Sequence, residues 1–182
     1  VLISAPTKTP SEISTRIKYQ EAVKNGETHL RSGKIEEAQA DYIHASEMAP
    51  QAWKPYLMIG QIWQALGRLD EANRYFRKVL VYNPDHSPTL TLLGNNLKRL
   101  GKTKDAEKIL RSAIRAWPLN FQAYDSLAQV QAAQGKSEEA IQLFNHAVQI
   151  NPDYGPGHLT LAMAYHSLNQ EQKSRYHLNR AL

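Results

Sequence analysis

The chain has 182 residues, 42% of them apolar and 21% charged, with a net charge of +5 and no cysteine. This is the composition of a globular protein with a core rather than of a disordered chain. No apolar run approaches the length a transmembrane helix requires. Disulfides, cysteine-ligated metals and thiol catalysis are excluded.

Residues 1–10, VLISAPTKTP, read as a flexible N-terminal segment, the end of a linker or a processed terminus, too short and wrongly flanked for a signal peptide. Ser11 is the expected N-cap of the first helix, and Ile13 and Ile17 give that helix an extra apolar turn. From residue 19 the chain repeats itself every 34 residues without an insertion. The units are 19–52, 53–86, 87–120 and 121–154, with a shortened fifth at 155–182.

The columns of this register each have a physical reason. Position 8 is Gly26, Gly60, Gly94, Ala128 and Ala162, small residues that let two helices approach closely. Position 15 is Gly33, Gly67, Gly101, Gly135 and Asn169, the residue types that end a helix in the left-handed conformation. Acidic residues follow, Glu36 and Glu37, Asp70 and Glu71, Asp105, Glu138 and Glu139, and suit the positive end of a second helix. Position 24 is Tyr42, Phe76, Leu110, Phe144 and Leu178, a large residue between the small ones of positions 20 and 27. Pro50, Pro84, Pro118 and Pro152 close the second helices.

The pattern predicts a helix–turn–helix hairpin per repeat and no strand. A lone hairpin cannot bury its apolar face, so the hairpins stack and the ends need polar surfaces. The last stretch, Gln170 to Leu182, has few large apolar residues and reads as such an end.

The columns resemble the tetratricopeptide repeat (TPR) family, over about nine tenths of the chain. The resemblance implies an all-α, right-handed superhelical stack of hairpins over 11–182, four full repeats and a shortened fifth. It also implies a non-enzymatic scaffold whose first helices line a concave groove for a protein or peptide partner. Two further roles follow from the same fold: the recognition arm of a larger enzyme such as a transferase, and a self-associating assembly factor that forms homo-oligomers.

No catalytic constellation stands out. The seven histidines are scattered, and no pair has the helical spacing around a carboxylate that a zinc hydrolase needs. His158 occupies a packing column; His44 and His146 share an outward one. No phosphate-cradling loop or nucleophile elbow is present, so neither a metal nor a cofactor is expected.

By the family resemblance, the groove is lined by Lys54, Leu57, Met58, Gln61, Gln64, Leu92, Asn95, Lys98, Arg99 and Gln129. Gln61, Asn95 and Gln129 occupy position 9 of successive repeats, where amides offer both donors and an acceptor to an extended backbone. The two-carboxylate clamp of the chaperone-binding members is matched only at Asn95, and the Asn ladder of the sugar-transferase members is absent.

The third repeat carries seven Lys and Arg against two acids, which makes it the basic one. Lys104, Lys108, Arg111 and Arg115 form one helical stripe. Arg74, Arg77 and Lys78 hold the equivalent face of the repeat before, and together they make a candidate basic outer patch. An acidic protein or an anionic membrane surface fits such a patch. Nucleic acid does not, because no aromatic residues are interleaved with these cations.

Overall fold

The computed structural model describes residues 9–182. Apart from Thr9 and Pro10, the segment 1–10 lies outside the described residues. The described residues form helices and no strand: α1 (Pro10–Arg31), α2 (Ile35–Met48), α3 (Trp53–Ala65), α4 (Leu69–Tyr82), α5 (Ser87–Arg99), α6 (Thr103–Ala116), α7 (Phe121–Ala133), α8 (Ser137–Ile150), α9 (Gly155–Ser167) and α10 (Glu171–Ala181). Each repeat is one pair of packed helices, from α1 with α2 to α9 with α10. The pairs gather into two compact units, one ending at Asn83 with α1–α4, the other beginning at Pro84 with α5–α10. Within the first, α2 packs on α3; within the second, α6 packs on α7 and α8 on α9. This is the all-α stack of hairpins that the period implies.

The first helix starts earlier than expected. Its N-cap is Thr9, not Ser11: the Glu12 backbone N–H donates to Thr9 Oγ1 at 3.3 Å, and the Thr9 N–H donates to Glu12 Oε2 at 2.7 Å. This capping box, with Pro10 at the first helical position, was legible as T-P-x-E. Ile13 and Ile17 are half exposed, so the added turn is not a core element.

Each first helix ends in the same way. At position 15 the chain turns left-handed, with φ from 73° to 78° at the four glycines and 56° at Asn169. The glycine N–H bonds the carbonyl three residues back, and the next N–H bonds the one five back, as in Gly101 to Lys98 and Lys102 to Leu97. These paired bonds satisfy carbonyls that the helix end would otherwise orphan. A Cβ on any of the four glycines would meet nothing within 4 Å, so the backbone angle alone dictates the residue.

Position 8 is dictated by space. A Cβ on Gly26, Gly60 or Gly94 would lie 2.8, 2.6 and 2.6 Å from the side chains of Tyr42, Phe76 and Leu110. Position 8 of the first helix therefore faces position 24 of the second in the same repeat. Ala128 meets Phe144 in the same cluster, with Leu161 and Val148. The fifth repeat departs from this: Leu178 is 45% exposed, and the residues that α10 buries are Ser174 and His177.

Candidate functional site

In the first unit, α3 carries the predicted groove residues. Lys54 is engaged: its Nζ donates to Glu27 Oε1 at 2.9 Å, and this contact holds the Glu27 carboxyl below its usual range. Leu57 is half buried, as is Met58, which packs against the core around Ile59 and Ile62. Gln64 is half buried and already has a partner. Gln61 is exposed, and its amide holds no hydrogen bond among the described residues. Met58 and Gln61 meet at a cavity of about 210 Å³ walled by Leu30, Ile35, Ile62, Ala65 and Leu66. Met58 and Gln61 are among the groove residues expected from the sequence. Leu30 and Ile35, which come from the preceding hairpin, are not among those expected residues.

In the second unit, Leu92 and Asn95 are half buried on α5, and Arg99 is exposed. Lys98 donates to Gln129 Oε1, and the Gln129 Nε2 donates to Asp125 Oδ2 at 2.7 Å. Asp125 also takes the Tyr154 hydroxyl. Burial pushes the Asp125 carboxyl up and the Lys98 ammonium down. It lifts the Tyr154 phenol to about 12, helped by the Asp125 charge. Gln129 is thus not a free member of an amide ladder. Both ends of its amide are spent in a polar brace running from α5 through α7 to the start of α9. Asn95 keeps its amide without a hydrogen bond among the described residues. The α9 residues Leu159 and Met163, at positions 5 and 9 of the fifth repeat, are exposed hydrophobics.

The cations of the outer patch differ in how free they are. On α6, Lys104 and Lys108 are exposed, and Arg115 donates to Ser112 Oγ at 2.8 Å. Arg111 is different. Its Nη2 donates to Glu107 Oε1 at 2.9 Å and to Glu139 Oε1 at 2.7 Å, and the buried Gln131 amide donates to the same two oxygens. The Arg111 guanidinium is the main reason that both carboxyls lie below their usual range. Arg111 is an ion-pair clasp between α6 and α8, not part of an open cationic stripe. In the first unit, Arg74 and Arg77 are exposed, and the Lys78 ammonium lies 5.2 Å from the ring centres of Tyr56 and Tyr75.

The chain is similar to several known proteins. It is 32% identical over 124 residues to human tetratricopeptide repeat protein 7B, covering 68% of this chain and 15% of that one. It is 31% identical over 88 residues to the Hsp70-Hsp90 organising protein of Plasmodium falciparum, 48% of this chain and 35% of that one. The chain thus spans about a seventh of its human relative. Among solved structures, PilF of Pseudomonas aeruginosa superposes with a TM-score of 0.83 at 17% identity, over 92% of this chain and 77% of that one. MamA of Desulfovibrio magneticus RS-1 superposes with a TM-score of 0.77 at 22% identity, over 90% and 93%. These two likenesses concern the fold. Profiles of the tetratricopeptide repeat match residues 53–86 and 91–155. The 34-residue register, the left-handed position 15, the facing of positions 8 and 24 and these matches lead to one conclusion: the chain belongs to the tetratricopeptide repeat family.

Proposed function

We propose that this protein-interaction scaffold holds an extended segment of a partner protein against the first helices of its repeats, with an apolar side chain seated beside Met58 and Gln61. The observation that carries the reading is the cavity itself. Its wall is almost wholly apolar, with Leu30, Ile35, Met58, Ile62 and Leu66, and one free amide stands at it. A few polar groups among apolar walls are what orient a bound chain. The half-buried Asn95 and the exposed Leu159 and Met163 supply similar chemistry in the second unit.

The chain has no role for a cofactor or metal in this reading. A second role has one supporting observation: human protein O-mannosyl-transferase TMTC2 is 30% identical over 96 residues, which cover 12% of that protein. A repeat stack of this kind can serve as the recognition arm of an enzyme.

Selection of random peptides on the intact chain, followed by calorimetric titration, tests the groove. Met58→Asp should abolish binding of the selected peptides. Gln61→Ala should weaken it by about 0.5–1.5 kcal/mol, the net worth of one hydrogen bond. Peptides that bind both variants as well as the parent would place recognition elsewhere.

A further inference from the structure

Three of the turns that follow second helices share one pair of backbone hydrogen bonds. Ala49 N–H bonds the Ala45 carbonyl at 3.1 Å and Ala52 N–H bonds the Ala49 carbonyl at 2.9 Å. The corresponding bonds after α8 are Asn151 to Ala147 at 3.0 Å and Tyr154 to Asn151 at 3.1 Å. After α6 they are Trp117 to Ala113 at 3.0 Å and Asn120 to Trp117 at 3.0 Å. The flanking residues differ sharply. The first turn reads Ala49-Pro50-Gln51 and the last Asn151-Pro152-Asp153, whereas the middle one reads Trp117-Pro118-Leu119. The same hydrogen bonds form with small or polar residues, so the turn does not require a tryptophan and a leucine. Nor does the core: Trp117 is 48% exposed and Leu119 64%.

These two side chains close the most basic repeat. Arg115 is exposed two residues before Trp117, and Lys104 and Lys108 are exposed on the same face of α6. Successive residues turn by about 100° and rise about 1.5 Å, so these three cations fall within about 40° of one line roughly 16 Å long. None of them forms an ion pair among the described residues, in contrast to Arg111.

We infer that the α6–α7 turn is a membrane-surface contact, with Trp117 and Leu119 entering the interface of an anionic bilayer and Lys104, Lys108 and Arg115 facing its headgroups. An indole prefers the level of the headgroups, where its ring is apolar and its N–H is wet. A straight row of unpaired cations matches the diffuse negative charge of a lipid surface better than the discrete carboxylates of a protein, which would need partners at fixed places. Three cations and two apolar side chains give a weak, reversible and salt-sensitive attachment, not an anchor.

Vesicle co-sedimentation of the full chain tests this. The chain should sediment with phosphatidylcholine vesicles containing about one third phosphatidylserine and not with phosphatidylcholine alone. The double variant Trp117→Ser, Leu119→Ser should lose about tenfold or more in partitioning while its circular dichroism stays unchanged. Lys104→Glu with Lys108→Glu should remove the dependence on phosphatidylserine. Failure of the parent chain to sediment with the anionic vesicles overturns the inference. So does a Ser–Ser variant that sediments like the parent, or capture by a soluble acidic polypeptide in place of vesicles.

Discussion

His158 and His177 meet inside the last hairpin with their Nδ1 atoms 2.8 Å apart. The other nitrogen of His158 lies 3.0 Å from the Pro152 carbonyl, which can only accept. His158 Nε2 therefore carries a proton; with both rings neutral, its Nδ1 accepts and His177 Nδ1 donates. The groups around the pair are aromatic, neutral or cationic. Tyr165 stacks on His177 at 5.5 Å, Tyr176 meets it edge-on at 5.0 Å, and Arg180 shares the Pro152 carbonyl. Lys173 lies over the Tyr165 ring, and Asn145 bonds the Tyr165 hydroxyl. Burial and the neighbouring His158 hold the His177 imidazole below its usual value.

The sign of the pH effect follows. The unfolded chain takes up a proton on His177 at about 6.5, before the folded chain does. Docking of α10 is therefore fully supported above that pH and weakens as pH falls below it. Hydrogen exchange of the α10 amides should accelerate between about pH 7.5 and 5.5, after correction for intrinsic rates. His177→Phe should flatten that dependence. Equal protection at both values would remove the imidazole pair from the account.

Gly94 gives the clearest packing prediction. Any Cβ there would sit 2.6 Å from Leu110 Cγ. Gly94→Leu should cost about 1–3 kcal/mol through overpacking, read as a lower urea midpoint. An unchanged midpoint would mean that the two helices separate freely at this contact.

Tyr42 is fully buried, and its hydroxyl has no hydrogen-bond partner among the described residues. Burial lifts its phenol to about 12. An unpaired buried hydroxyl costs free energy, and Phe76 and Phe144 fill the same position in other repeats without one. Tyr42→Phe should be neutral or stabilise by up to about 1 kcal/mol, measured by thermal denaturation. A loss well beyond that range would reveal a partner for the hydroxyl.

The Arg111 clasp is partly exposed, with side-chain exposures of 43% for Arg111 and 38% for Glu139. Solvent screening limits its worth, so Arg111→Ala should cost only about 0.5–1 kcal/mol. The Glu107 and Glu139 carboxyls lie low in the folded state, so this contribution is present above the usual carboxylate range and lost as pH falls below about 4.5. The difference between parent and variant should therefore shrink in acid.

The fold was legible because its determinants are local and recur. A glycine at position 15 and a small residue opposite a large one at position 24 declare themselves by period alone. The brace Lys98–Gln129–Asp125–Tyr154 did not, because its members stand at different columns and are joined only by packing. Gln129 looked like Gln61 in sequence and is spent where Gln61 is free. Arg111 looked like Lys108 and is clasped, because Glu139 approaches from α8. The exchange of Leu178 for His177 as the buried residue of α10 also escaped the column reading, as did the capping role of Thr9 ahead of the first repeat.

Two glycine columns run through the chain, and they forbid different things. Position 15 has room for a side chain and lacks a permissive angle; Asn169, left-handed at φ 56°, is the one non-glycine there. Position 8 has an ordinary helical angle and lacks room; Ala128 and Ala162 are the substitutes found there. Neither replacement would serve in the other column. Copies of this unit can therefore diverge at each glycine along a separate route, one steric and one torsional. A comparison that scores both columns merely as small would erase the difference between them.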